Sequence, residues 1–363
     1  MLSLYAYKLP FKTPFKTGAG VFTHREGFIL HFSARNSSSV TEIAPLPGFS
    51  KETFQEVEKL IISSLPQWND ALKSFTTTEQ LSSWLHSQNL PPSVEFGLSA
   101  LGLDILSRLN HESVMNLLGF STYTDLNLNF VISAGDTKSR LKQLRDGYKT
   151  GFRTFKIKSD ADTKPLFEIL DSAHKKFPDI RFRVDANRSW DPEQALQILK
   201  KLKNYPVEYC EEPVLFGNIL EFSKLCEQSP VPLALDESLG TVVSSDEVIR
   251  NQLSDVIIIK PALFGSVFKI IETIDLSDSH NSTTVFTTTL ESGVGRKITA
   301  WLAAMTSNSE IAHGLNTGSL LGSDLLHDDW ICNASICLKP QSGWGFEPEF
   351  LNTDVLSFIQ SYG

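Results

Sequence analysis

The chain is short of cysteine, of long apolar runs and of clustered positive charge, and each shortage removes a class of function. Its four cysteines are Cys210, Cys226, Cys332 and Cys337. None are spaced as CxxC and no histidine pair accompanies them, so a zinc site is not indicated. So few thiols in so long a chain read as reduced cysteines rather than as a disulfide framework. No apolar run approaches the roughly 18 residues of a membrane span. The opening MLSLYAYKLPFKTPFKTG lacks the continuous apolar stretch of a signal peptide. A cytoplasmic location without membrane insertion is therefore the expectation. Lys and Arg number 33 against 42 Asp and Glu, giving a formal net charge of −9. With no basic stripe to meet a phosphate backbone, no nucleic-acid partner is expected.

What is present is an ordinary globular composition over 363 residues, 41% hydrophobic and 21% charged, enough for roughly two domains. The first part reads as α+β. Residues 2–9 alternate like a strand, and Gly27–Phe32 form a second apolar strand. The FKTPFKTGAG between them, residues 11–20, reads as a mobile loop from its Gly, Thr and Pro content. After the turn-rich PLPGFS at 45–50, Ser50 is expected to cap a helix carrying Phe54, Val57, Leu60 and Ile61 on one face. A proline opens a further helix over 91–109. From about residue 126, β-rich runs alternate with amphipathic helical stretches. Eight runs can be counted: LNLNFVIS, FRTFKIK, RFRVDAN, VEYCEE, VPLALDE, DVIIIK, TTVFTTT and EIAHGLN. Such alternation means a parallel sheet, and eight strands with seven intervening helices fit a (β/α)7β TIM-like barrel. The expected division is an α+β capping domain at 1–120, the barrel at 121–324, and a segment at 325–363 that packs back on the cap. The sequence does not specify an oligomeric state.

The functional signal is positional. Lys158, Asp185, Glu211, Asp236 and Lys260 end five consecutive runs, at spacings of 27, 26, 25 and 24 residues. Each spacing is about one βα unit, so five adjacent strands each bring a charge to the face where barrel active sites lie. A lone Asp after a strand is more often a helix N-cap, and a lone Lys is usually solvated. Five in register are harder to read that way. Three carboxylates without a soft ligand suit Mg²⁺ or Mn²⁺. Lys156 and Lys158, at i and i+2, share a strand face, and their repulsion is expected to favour a neutral amine able to act as a base. Arg183 should share the face of Asp185 and orient Lys158 or a ligand carboxylate. A proton beside a carboxylate is weakly acidic, and a divalent cation with flanking ammonium groups would stabilise the enediolate left by its removal. His313, in the eighth run, could line the pocket, although a packed core histidine reads equally well.

FKIK, VDANRSW, EEP, LDES and IIIKP together resemble the muconate-lactonizing subgroup of the enolase superfamily. Within it, EIAPLPGFSKET at 42–53 and PSVEFGLSAL at 92–101 resemble the o-succinylbenzoate synthases of menaquinone biosynthesis. The resemblance spans about residues 40 to 320. It implies a small-molecule carboxylate substrate and a hydro-lyase reaction, the dehydration of 2-succinyl-6-hydroxy-2,4-cyclohexadiene-1-carboxylate to 2-succinylbenzoate. It implies Lys158 as the base, Lys260 as the electrostatic partner on the opposite face, and Asp185, Glu211 and Asp236 as magnesium ligands. Lys156, Arg183, Asn187, Glu212, Thr288, Glu291 and Ser292 become candidates for substrate binding or for supporting the site. The segment at 11–20 becomes a lid. Racemases of N-acylamino acids, dipeptide epimerases and cycloisomerases share the same lysines and ligands and are the competing reading. Thr41 stands where many relatives carry Gly, and TTTLESG replaces a Ser-rich turn, so the substrate is less sharply marked than the chemistry.

Overall fold

The structure, a computed structural model, describes residues 1–17, 20–34, 37–120, 125–133, 135–327, 329–339 and 341–363. Alternating apolar residues at the start make β1 (Leu2–Thr17), which pairs antiparallel with β2 (Gly20–Ala34) and through it with β3 (Ser37–Ile43). The segment expected as a mobile loop is instead mostly strand. Residues 11–17 extend β1 and Gly20 opens β2, while positions 18 and 19 lie outside the described residues. The aromatic rings of Phe11 and Phe15 stack at 5.7 Å, and Phe15 pairs across to Phe22. That apolar repeat in FKTPFKT outweighs the turn-forming composition.

Two helices, α1 (Phe54–Ser74) and α3 (Pro92–Leu109), cover this sheet, and α2 (Thr78–Ser87) packs on α3. Thr53, not Ser50, caps α1, in a capping box with Glu56. The Ser50 hydroxyl instead accepts the Leu46 N–H at 2.8 Å and closes the PLPGFS turn. α3 lies close against β3 because Gly97 has no side chain. A Cβ there would fall 2.4 Å from Ile43.

The eight expected runs are all parallel strands. They are β4 (Leu126–Ile132), β5 (Thr154–Lys158), β6 (Arg181–Asp185), β7 (Val207–Glu211), β8 (Leu233–Leu235), β9 (Val256–Ile259), β10 (Thr283–Phe286) and β11 (Ala312–His313). They pair in sequence order. β11 returns to β4, and a bridge from Thr287 to Gly314 joins it to β10, closing the ring. A helical stretch lies on each of the seven connections, so the barrel is (β/α)7β. Most of these helices carry side-chain N-caps. Asp191, for example, accepts the Gln194 N–H at 2.8 Å, with Pro192 opening the helix.

After the barrel, β12 (Ile331–Cys332) and β13 (Ser335–Ile336) form a small hairpin on the start of β4. β14 (Leu356–Tyr362) then pairs antiparallel with β1 and completes a four-stranded capping sheet. No helix among the described residues is long and apolar enough to cross a membrane.

Candidate active site

The C-terminal ends of the barrel strands open into a cavity of about 550 Å³. Its roof comes from the cap: Phe15 at the end of β1, and Leu46, Gly48 and Phe49 of the PLPGFS turn. Pairing registers explain why the charges meet. Lys158 stands beside Asp185 across β5 and β6, and Asp185 beside Glu211 across β6 and β7. Asp236 and Lys260 follow the last residues of β8 and β9. Lys158 and Lys260 belong to the second and sixth strands of eight, so they approach the cavity from opposite walls.

The carboxylates lie deep. Asp185 is 2% exposed, Glu211 1% and Asp236 8%. Ligand oxygens of Glu211, Asp236 and Glu237 all fall within 4.8 Å of one another. Asp185 stands across the Lys156 ammonium, which is 3.0 Å from its Oδ2 and 2.8 Å from both oxygens of Glu211. Lys260 Nζ is 2.5 Å from Asp236 Oδ2 and 5.7 Å from the centre of the Phe49 ring.

Four carboxylates thus face two partly buried ammonium groups. Burial first, and then repulsion from Asp185 and Asp236, push the Glu211 carboxyl well above its usual range. Burial and the neighbouring Asp236 raise Glu237 as well. Asp236 is held low despite burial, by Lys260 and then Lys156. An all-oxygen set with excess negative charge fits a hard divalent cation, which would offset repulsion that the lysines leave uncompensated.

The two neighbouring lysines differ in surroundings. Mutual repulsion favours neutrality at both, but at Lys156 the carboxylates prevail. Burial opposes its charge, yet Asp185, Glu211 and Asp236 raise its pKa well above the ordinary value. Lys158 is exposed to the cavity, and among the described residues its ammonium makes one weak contact, donating to Asn187 Oδ1 at 3.3 Å.

The other candidates divide between cavity and scaffold. Asn187 lines the cavity in the left-handed region (φ 44°), with its N–H on Asp185 Oδ1 at 3.1 Å and its Nδ2 on Glu237 at 3.4 Å. Thr288 lines it too, bonded to the Thr317 hydroxyl at 2.7 Å. Glu212 is fully buried and holds the end of β8. It accepts from Asp236 N at 3.0 Å, from Ser238 N and Oγ at 2.8 Å, and from Arg188 Nε at 2.9 Å.

Arg183 does not reach Lys158 or the cavity wall. It faces inward one layer deeper, donating to Glu208 at 2.7 Å and lying over the Tyr209 ring. Glu291 and Ser292 are also off the wall. The backbone turns at Leu290 (φ 64°), so Glu291 points into the protein toward Thr289, and Ser292 becomes the cap of helix Gly293–Ala303. His313 is packed rather than exposed, accepting the Phe286 N–H at 3.1 Å.

Glu237 was missed by strand-end reasoning. Alternation would turn it away from Asp236, but β8 ends at Leu235 and the pattern stops there. Its place in LDES, next to a candidate ligand, was the available signal. Asn129, Phe49 and Phe15 on the wall were missed for want of any charge pattern.

Beyond this cluster the described wall is mostly apolar or neutral, with Arg188, paired to Glu212 at 2.9 Å, adding a further positive charge. Phe130, Val131, Leu290 and Leu320 alternate with hydroxyls and amides of Asn129, Gln143, Thr288 and Thr317. Among the described residues, the only carboxylates lining the cavity are Asp185, Asp236 and Glu237.

Known proteins match along most of the chain. The model for MenC, N-terminal domain, matches residues 1–104, and that for Enolase C-terminal domain-like matches residues 139–350. An o-succinylbenzoate synthase of Pasteurella multocida (strain Pm70) is 26% identical over 336 residues, covering 88% of this chain and 89% of its own. An L-Ala-D/L-Glu epimerase of Francisella tularensis subsp. novicida (strain U112) is 25% identical over 351 residues, covering 93% of this chain and 96% of its own. The solved N-succinyl Arg/Lys racemase from Bacillus cereus ATCC 14579 shares the fold with a TM-score of 0.85 at 18% identity, over 99% of both chains. The enolase-type barrel model accounts for more than half of the sequence, and the chain belongs to the enolase superfamily of enzymes.

Proposed function

We propose that this enzyme is an o-succinylbenzoate synthase, a hydro-lyase of menaquinone biosynthesis. Its reaction would be the syn dehydration of 2-succinyl-6-hydroxy-2,4-cyclohexadiene-1-carboxylate to 2-succinylbenzoate. The observation that carries this reading is the cavity itself. Two lysines flank a carboxylate cluster, and among the described residues the rest of the wall offers no anion. A dipeptide would bring an ammonium group and need a carboxylate outside the cluster to receive it. A ring with a succinyl tail brings no cation, and suits apolar walls with hydroxyl and amide donors. The MenC-type N-terminal match and the synthase relatives support the same choice.

In this reading Asp185, Glu211 and Asp236 hold Mg²⁺ or Mn²⁺, with Glu237 beside them. When bound, the cation supplies Lewis-acid stabilisation to the substrate carboxylate as negative charge builds on it. Lys158 Nζ removes the proton from the carbon bearing the carboxylate, and an enediolate results. Lys260 faces it from the opposite wall and stays charged, held by Asp236 and Glu237 against the cost of burial. Lys158 then returns its proton to the hydroxyl on the same ring face. The C–O bond breaks, water leaves, and the ring becomes aromatic. Phe15, Leu46 and Phe49 exclude bulk water from above. The capping domain would run over 1–120, the catalytic barrel over 121–324, and 325–363 would complete the cap. The enzyme would work in the cytoplasm.

The competing activities are separated by offering the cyclohexadiene, an N-succinyl amino acid and L-Ala-L-Glu to one preparation. Epimerisation of the last two is read by NMR in D₂O. The proposal requires the highest kcat/KM on the cyclohexadiene. A higher value on the dipeptide would overturn it.

A further inference from the structure

Glu42 is a carboxylate of the capping sheet, 2% exposed, whose barrel partners lie about 250 residues away. Its Oε1 accepts the Ser292 N–H at 2.9 Å and the Tyr7 phenol. Its Oε2 accepts the Gly295 N–H at 2.8 Å and the Ser292 hydroxyl. These two N–H groups belong to the start of helix Gly293–Ala303, where amides have no helical partner and the dipole favours an anion. Gly295 leaves room for this approach. A Cβ there would fall 2.8 Å from Glu291 Cβ and 3.0 Å from Glu42 Oε2. Asp324 holds the same turn from the other side, through Gly293 N at 2.7 Å and Arg296 Nη2 at 2.8 Å.

The segment pinned in this way carries part of the cavity wall. Leu290 adopts φ 64°, a left-handed conformation unfavourable for any side chain but glycine's, and it lines the cavity with Thr288. The Leu290 N–H also rests on the Thr288 hydroxyl at 3.3 Å. A strained wall persists only where its surroundings over-determine it. Thr288 and Thr317 hold one end, and the helix start at Ser292 holds the other. The carboxylate that fixes Ser292 comes from the capping domain.

We propose that Glu42 is a positioning residue through which the capping domain sets the Thr288–Leu290 wall of the substrate cavity. It touches no substrate and acts through Ser292. The link to catalysis rests on the reaction proposed above. The structural part does not.

Two measurements test it. In hydrogen exchange on ligand-free protein, Glu42→Gln keeps the side-chain length, removes the charge and replaces one acceptor oxygen with a donor. Amides of 287–296 should exchange about tenfold faster or more, the equivalent of one charge-assisted bond, while β5–β8 keep wild-type rates. Tyr7→Phe leaves the carboxylate on the helix and should give the same pattern more weakly. It carries both measurements if Glu42→Gln does not fold. Equal acceleration in both regions, or none at 287–296, overturns the proposal. In steady-state kinetics on the cyclohexadiene, KM should rise about tenfold in Glu42→Gln with kcat within about threefold of wild type, because the wall binds and does not react. A loss of kcat at unchanged KM also overturns it. Exchange needs no substrate, so a wild-type protein inactive on the cyclohexadiene counts against the proposed reaction alone, and the exchange pattern then decides on Glu42.

Discussion

Truncating Lys260 and Lys158 in turn to alanine should give very unequal losses of stability. Lys260 is 15% exposed and its ammonium lies 2.5 Å from the buried Asp236 carboxylate. Removing it leaves that carboxylate among Glu211 and Glu237 with less compensation. Breaking a buried pair by deleting one partner costs about 3–5 kcal/mol. Unfolding entropy of about 2.1 cal/mol/K per residue turns this into a fall of roughly 4–7 °C in melting temperature for a chain of this size. Among the described residues the Lys158 ammonium makes no ion pair, only the 3.3 Å contact with Asn187, and it is exposed to the cavity. Its loss should change stability by no more than about 0.5 kcal/mol, or under about 1 °C. Activity should respond the other way. Loss of a general base costs about 10²–10⁴-fold, and loss of one stabilising charge about 10²–10³-fold. The assay is thermal unfolding in chelator, so that no cation offsets the charge, followed by turnover with Mg²⁺ restored. If Lys158→Ala proved as destabilising as Lys260→Ala, the burial argument separating the two lysines would be wrong.

Other perturbations follow from the same geometry. Chelation should abolish turnover and Mg²⁺ or Mn²⁺ should restore it, and Asp236→Asn should weaken metal binding in calorimetry; full activity in metal-free protein would refute the cation's role. Lys260→Arg keeps a positive charge and should retain some turnover, whereas Lys158→Arg should retain almost none, because guanidinium cannot accept a proton at neutral pH; the reverse order would exchange the two roles. Burial, and then Arg183, lower the His313 pKa to about 3, against 6.5 for the free side chain. The native state therefore stays neutral while the unfolded chain takes up a proton below about pH 6.5. Stability from this group is full above that pH and is lost toward pH 3, at up to about 1.4 kcal/mol per pH unit. His313→Gln should flatten the denaturation profile between about pH 6 and 4, and an unchanged slope would show that His313 titrates normally.

The barrel was legible in the sequence because eight β-rich runs alternate with amphipathic stretches, and five consecutive runs end in a charge about 25 residues from the next. That spacing survives any error of a residue or two in strand limits. Lys158, Asp185, Glu211, Asp236 and Lys260 are brought together for the same reason. What could not be read depends on contacts between distant segments. Residues 11–17 look like a loop by composition, and distant contacts make them strand: the Phe11–Phe15 stack, the Phe11 bridge to Leu321, and pairing of Phe15–Thr17 with β2. Arg183 shares a face with Asp185 as alternation requires, but depth along the strand decides whether a side chain meets the cavity or Glu208. Glu291 follows the cavity residues in sequence and is turned inward by the backbone at Leu290. Glu42 carries no motif that names its partner, because Ser292 and Gly295 meet it only when cap and barrel dock.

The most direct test of the account is ultraviolet loss of the diene with 2-succinyl-6-hydroxy-2,4-cyclohexadiene-1-carboxylate and Mg²⁺, run on wild type and Lys158→Ala side by side. Wild type should turn over, with 2-succinylbenzoate as product, and the folded variant should lose at least about 10²-fold. No turnover by metal-loaded wild type, or equal rates in the two proteins, would contradict it.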